Sequence, residues 1–203
     1  VATLAHRARD AGKRTVIGGP YAASHTPELS LICDHVVSGE VEEHFADLAR
    51  ALEFGTAEPV YVFTDKPDVT KTPKPRYDLL NMKAYTAMSV QFSRGCPFQC
   101  EFCDIIVLYG RKPRTKPPEQ LISELDALRS AGYTGEVFLV DDNFIGNKPN
   151  VKKLLPDLLK WQQDHDFPFW FDTEASIDLA ADTDLLGMMH ACNFGSVFIG
   201  IET

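Results

Sequence analysis

The chain has 203 residues, 44% of them hydrophobic, enough to bury a sizeable core in one large domain or two small ones. Its 29 acidic and 20 basic side chains leave a formal net charge of -9, which argues against the clustered Lys and Arg that a nucleic-acid surface needs. No apolar run approaches the roughly 20 residues of a membrane span, and an odd five cysteines, three of them clustered, point to a reducing, cytoplasmic setting and metal binding rather than a disulfide framework.

Taken in order, the chain opens on Val1 already inside a helical pattern, with Leu4, Ala5, Ala8 and Ala11 on one face and Gly12 as its stop. Because it also ends just after the apolar run Val197 to Ile201, it reads as an internal fragment. Thr15 to Ile17 form a short β-rich run closed by Gly18-Gly19-Pro20, and Val36-Val37-Ser38 make a second strand closed by Gly39-Glu40. An amphipathic helix follows, with Val41, Phe45, Leu48, Ala49 and Leu52 at helical spacing and Gly55 past its end. Helix, strand, loop, strand, helix is the order of an α/β fold with a parallel sheet. In such sheets ligands sit beyond the carboxyl ends of the strands, where glycine lets the backbone approach them. His25 and His35 read as partly exposed loop histidines, and His6 and His44 as surface residues on helices.

From about residue 56 to 85, Pro59, Pro67, Pro73 and Pro75 favour an extended tether, interrupted by a short strand from Val60 to Thr64. The domain reading is therefore 1-55, a linker 56-85, and 86-203. In the last part Met88, Val90 and Phe92 alternate as a strand. Pro117-Pro118 opens a helix with Leu121, Ile122, Leu125 and Leu128 on one face. Glu136 to Val140 is the next strand, and the helix through Leu154, Leu155, Leu158, Leu159 and Trp161 carries a kink-prone Pro156. Phe169 to Thr173, a helix from Asp182 to Cys192, and Val197 to Ile201 complete the alternation. Repeated β-α units of this kind predict a parallel barrel with its site at the carboxyl ends of the strands.

The chemistry concentrates in Arg94 to Asp104, RGCPFQCEFCD, which sets Cys96, Cys100 and Cys103 in the spacing C-x3-C-x2-C. A 4Fe-4S cluster held by three cysteines leaves one iron for a ligand that is not protein. A structural zinc site needs a fourth ligand, and Cys33 and Cys192 are distant in sequence. Acids stand at the strand ends: Asp141 and Asp142, Glu174, and Glu202. Each could cap a following helix; together they could accept hydrogen bonds from a ligand at the strand ends. The basic run Arg111, Lys112, Arg114 and Lys116 is open to two readings, a solvated loop or a contact to an anionic substrate, cofactor or partner.

The cysteine loop, with Phe102 in the aromatic position before its last cysteine, resembles the radical S-adenosylmethionine enzymes. VDDNF, Val140 to Phe144, resembles the acidic variant of the family's strand-two motif, and GIET, Gly200 to Thr203, its strand-four motif. VIGGP followed by DHVVSGEVEEHF resembles the second half of a cobalamin-binding domain, with Val41 where a second glycine is usual. The subgroup resembled is the cobalamin-dependent one that includes hopanoid methylases. The resemblance implies the C-terminal half of a Rossmann-like cobalamin-binding domain, then the first four β/α units of a partial (β/α)6 barrel. It implies that Cys96, Cys100 and Cys103 hold a 4Fe-4S cluster, and that Phe102, Asp141, Asp142, Glu174 and Glu202 face S-adenosylmethionine. It also implies that Gly18, Gly19, Ser38, Gly39 and Glu40 face cobalamin. The implied activity is methylation of an unactivated carbon in a small or lipid-like substrate through a 5'-deoxyadenosyl radical, with electrons from a donor such as flavodoxin or ferredoxin. A radical cyclase or rearrangement enzyme, and a non-catalytic iron-sulfur carrier or zinc module, are the rival expectations.

Overall fold

The computed structural model describes residues 1–201. The chain divides into two compact units, Val1–Pro67 and the remainder from Asp68.

In the first unit α1 (Ala2–Asp10) leads into β1 (Val16–Ile17), short helices α2 (Pro20–Ser24) and α3 (Thr26–Leu29), β2 (His35–Ser38), α4 (Phe45–Phe54) and β3 (Val60–Val62). The strands form a parallel sheet in the order β1-β2-β3. All four residues of β2 are buried, as a central parallel strand covered on both faces requires. Ala22 of α2 and Leu29 of α3 pack with Cys33 and Val36 on one side. Gly55 closes α4 in the left-handed conformation at φ 72°, the stop that the sequence predicts.

Three expectations are corrected in this unit. Val60–Val62 is not an interlude in a tether but the third strand of the sheet, so the boundary falls after Pro67 rather than at residue 55. Val41 precedes the helix, which starts at Phe45. His35 is not a partly exposed loop residue, whereas His44 lies at the surface as expected. His35 is buried in β2 with its Nδ1 2.7 Å from the Glu58 carbonyl, and His44 pairs with Asp65 at 3.0 Å and stacks on Phe63.

The second unit begins with turns at Val69–Lys71, Tyr77–Leu79 and Met82–Ala84. Its main elements are β4 (Met88–Val90), β5 (Ser93–Arg94), α5 (Ile105–Leu108), β6 (Arg114–Thr115), α6 (Pro118–Ser130), β7 (Gly135–Leu139), α7 (Lys148–Asp164), β8 (Phe169–Ala175), α8 (Thr183–Ala191) and β9 (Phe194–Ile199). β4, β7, β8 and β9 form a parallel sheet in sequence order, each consecutive pair joined by a right-sized crossover that includes a helix. Met88, Val90, Val137, Leu139, Phe169 and Phe171 meet Leu121, Leu125, Leu154, Leu158, Leu185 and Met189 in one core. On α6, Leu121, Leu125 and Leu128 are fully buried and Ile122 partly, the face that its sequence spacing predicts.

Two strand ends move relative to expectation. β8 runs on to Ala175, which places Glu174 inside the strand, and β9 starts at Phe194 rather than Val197. α7 continues unbroken through Pro156. The sheet face away from the helices carries Phe138, Trp170, Asp172, Glu174, Ser196 and Phe198, with Trp170 and Phe198 exposed. Among the described residues no helix is long and apolar enough to cross a membrane.

Candidate metal centre at the cysteine loop

The loop that carries Cys96, Cys100 and Cys103 leaves the carboxyl end of β4 and is pinned at its base by the antiparallel pair β5-β6, in which Ser93 faces Thr115 and Arg94 faces Arg114. The sequence reading missed this hairpin, because two-residue strands have no period to detect. Gly95 sits inside the base at φ 94°. A Cβ there would lie 2.8 Å from the Gly110 carbonyl oxygen and 3.2 Å from those of Lys112 and Tyr109, so the close approach of the two arms demands glycine. Cys96 N–H donates to the Gly110 carbonyl at 3.2 Å, and Cys103 N–H to the Cys100 carbonyl at 3.2 Å. Farther out Phe98 and Phe102 are exposed, Phe102 at 70%.

The carboxyl end of β7 supplies three successive side chains to this loop. Asp141 is buried, and both its oxygens are engaged: Oδ1 accepts from the Phe92 N–H at 2.8 Å and Oδ2 from the Ser93 hydroxyl at 2.6 Å. Burial pushes its carboxyl up to about 7, against the pull of those donors. Asp142 Oδ2 accepts from the Gly95 N–H at 2.7 Å. Asn143 is buried and reaches both the loop and the end of β8: its Nδ2 lies 3.0 Å from Ser176 Oγ and 3.9 Å from Cys96 Sγ, and its Oδ1 accepts from the Ser176 N–H at 3.3 Å.

Both acids expected to face S-adenosylmethionine thus take hydrogen bonds from the entry segment of the cysteine loop. Asp141 is a buried brace whose oxygens are already used by the loop's own entry segment, and Asp142 holds Gly95. Glu174 stands exposed on the open sheet face beside Phe198. Glu202 lies outside the described residues.

None of the five cysteines is in a disulfide, and the three loop thiols are half-buried. Among the described residues no three His, Cys, Asp or Glu side chains meet where one metal ion could bind. They share a loop without converging on a point. A cubane cluster does not ask for convergence, since each cysteine takes a different iron. An all-sulfur donor set on a loop closed by a side-chain-free residue fits such a cluster.

In the first unit, Gly18 and Gly19 are exposed after β1, with Gly19 at φ 93°. Gly39 follows β2 at φ 97°, where a Cβ would stand 2.0 Å from the Phe63 carbonyl oxygen. The β2-β3 packing alone thus requires that glycine. Ser38 is buried with its carbonyl taken by the Phe63 N–H at 2.9 Å, and Glu40 is buried 4.0 Å from Lys66.

A parallel α/β unit with three thiols on the loop after its first strand defines a cluster-loop protein. The sequence profile of the radical SAM superfamily matches residues 90–203, and the chain belongs to that family. It is 56% identical over 193 residues to an uncharacterized methyltransferase of Synechocystis and 39% identical over 204 residues to the hopanoid C-2 methylase of Rhodopseudomonas palustris. These alignments cover 95% and 98% of this chain but 36% and 38% of the relatives, so the chain spans little more than a third of their length. The radical S-adenosylmethionine methyltransferase TsrM from Kitasatospora setae, solved with tryptophan and a SAM analogue, superposes with a TM-score of 0.79 at 16% identity. That match covers 98% of this chain and 44% of TsrM, and at such identity it speaks for the fold.

Proposed function

We propose that this chain is part of a cobalamin-dependent radical S-adenosylmethionine methyltransferase acting on an unactivated carbon of a small or lipid-like substrate. The observation that carries the reading is the pairing of a braced three-cysteine loop in the second unit with glycine-ended parallel strands in the first. Relatives named as methylases, and a TsrM structure with cobalamin and a [4Fe-4S] cluster bound at a TM-score of 0.77, support it.

On this reading Cys96, Cys100 and Cys103 hold the cluster, and Phe102, Asp141, Asp142, Glu174 and Glu202 are the groups assigned to S-adenosylmethionine, with Asp141 and Asp142 also bracing the loop. Gly18, Gly19, Ser38, Gly39 and Glu40 line the cobalamin side. When bound, the cluster delivers an electron to S-adenosylmethionine and cobalamin supplies the methyl group. The chain's own residues ligate and orient: the Asp141 carboxyl sets the entry of the loop, and Gly95 lets it close. An electron donor such as flavodoxin or ferredoxin completes the scheme.

The test is anaerobic reconstitution of the full-length protein with iron, sulfide and cobalamin. A cubane spectrum that changes on adding S-adenosylmethionine, release of 5'-deoxyadenosine, and transfer of labelled methyl to product are expected. A rearranged product without label would favour the cyclase reading, and absence of a cubane would end both.

A further inference from the structure

Asn143 lies between two acids that brace the cysteine loop and a turn that packs on it, yet it serves neither as a helix cap nor as a ligand by residue type. Its side chain is buried at 3% exposure. The amide orientation is settled by its neighbours. The Ser176 backbone N–H can only donate, so the atom 3.3 Å from it is the amide oxygen, which leaves the NH2 group facing Ser176 Oγ and Cys96 Sγ. The Ser176 hydroxyl gives its one hydrogen to Asp178 Oδ1 at 2.5 Å and so accepts from Asn143. Asp178 is in turn held by Lys148 Nζ at 2.7 Å. The second amide hydrogen is left for the sulfur.

We infer that Asn143 is a positioning residue for the cluster: it donates an N–H···S hydrogen bond to the Cys96 thiolate and anchors that ligand, through Ser176, Asp178 and Lys148, to the turn after β8. The inference rests on the reading of the cysteine loop as a cluster site. At 3.9 Å the contact to a thiol is weak; charge on a metal-bound sulfur strengthens it. Reduction adds negative charge to a cluster and its sulfurs, so a donor aimed at one of them favours the reduced form. Asn143 would then set how easily the cluster accepts its electron. An aspartate in its place would turn an oxygen toward the sulfur, whereas the amide of Asn143, next after the acids Asp141 and Asp142, turns a donor toward it.

The test uses the anaerobically reconstituted full-length protein and reads the cluster rather than turnover. Asn143→Leu keeps the branched shape and the number of heavy atoms and removes both donors. Its iron and sulfide content should stay near wild type while its midpoint potential becomes more negative. The expected ratio of reduced to oxidised cluster at a fixed potential falls about tenfold, 59 mV for a one-electron couple. An iron-replete variant that titrates at the wild-type potential overturns the inference. Should the variant lose its fold or its iron, wild-type protein labelled with 15N in asparagine decides: pulsed EPR of the reduced cluster must show coupling to an asparagine nitrogen, and its absence also overturns the inference. A wild-type protein that takes up no iron is a separate outcome, since it removes the cluster reading itself and this inference with it.

Discussion

Asp141 shows how an acid at a strand end can be tied into the fold through both of its oxygens. Its carboxyl titrates at about 7 when folded, against 3.8 as a free side chain, because burial disfavours the charge more than the Phe92 and Ser93 donors favour it. Folding therefore takes up a proton between those values. The contribution to stability is greatest below about 4 and is lost as pH rises through about 7, a change on the order of 4 kcal/mol at 1.36 kcal/mol per unit. Denaturant melts of wild type and Asp141→Asn at about pH 5.5 and about pH 8 should show the wild type losing ground to the variant at the higher pH. An equal gap at both would mean that the buried carboxylate ionises freely. Asp141→Ala is different in kind. It strands the Phe92 N–H and the Ser93 hydroxyl in the core, at about 1–3 kcal/mol for each unpaired group, and a fall of several degrees in the melting temperature is expected.

At the scale of elements, the cysteine loop depends on the hairpin at its base and on the buried pair beside it. Adding a methyl group at Gly95 forces the Gly110 carbonyl away and opens the loop. Gly95→Ala should take up less than half the wild-type iron on anaerobic reconstitution while keeping its far-ultraviolet circular dichroism; full iron content would show that the base tolerates a side chain. Lys116 follows β6, where its N–H donates to the Phe92 carbonyl at 2.8 Å, and its Nζ meets both oxygens of Glu124 on α6 at 2.7 and 2.9 Å. Both side chains are buried, and burial pushes Glu124 above its ordinary range while Lys116 pulls it back. Lys116→Met leaves that carboxylate alone and should cost about 3–5 kcal/mol in urea unfolding. The double variant Lys116→Met, Glu124→Leu should recover most of this, since two apolar chains replace two desolvated charges. No recovery would place the loss in packing rather than charge.

At the scale of the molecule, the second unit presents an open sheet face with exposed Trp170 and Phe198, and β4 and β9 have no strand partner on their outer sides among the described residues. Apolar surface beside unpaired strand edges promotes association. This 203-residue chain should sediment with a concentration-dependent mass, and Phe198→Lys should move it toward the monomer; an ideal monomer at all concentrations would contradict this. The sequence by itself determined what local spacing encodes. It gave the three thiols on one loop, the aliphatic stripe of α6, the glycine that closes α4, and the β-α alternation behind the parallel sheets, since each depends on residues only a few positions apart. Tertiary structure alone decided what separations of dozens of residues bring together. Asp141 is spent on Phe92, Gly39 is required by Phe63, Val60–Val62 joins the first sheet, and Asn143 reaches both Cys96 and Ser176. An acid at a strand end has the same one-dimensional signature whether it caps, braces or binds. Only the packing that buries Asp141 and leaves Glu174 in the open separates those roles, because desolvation and the nearest donors, not residue type, set what a carboxylate does.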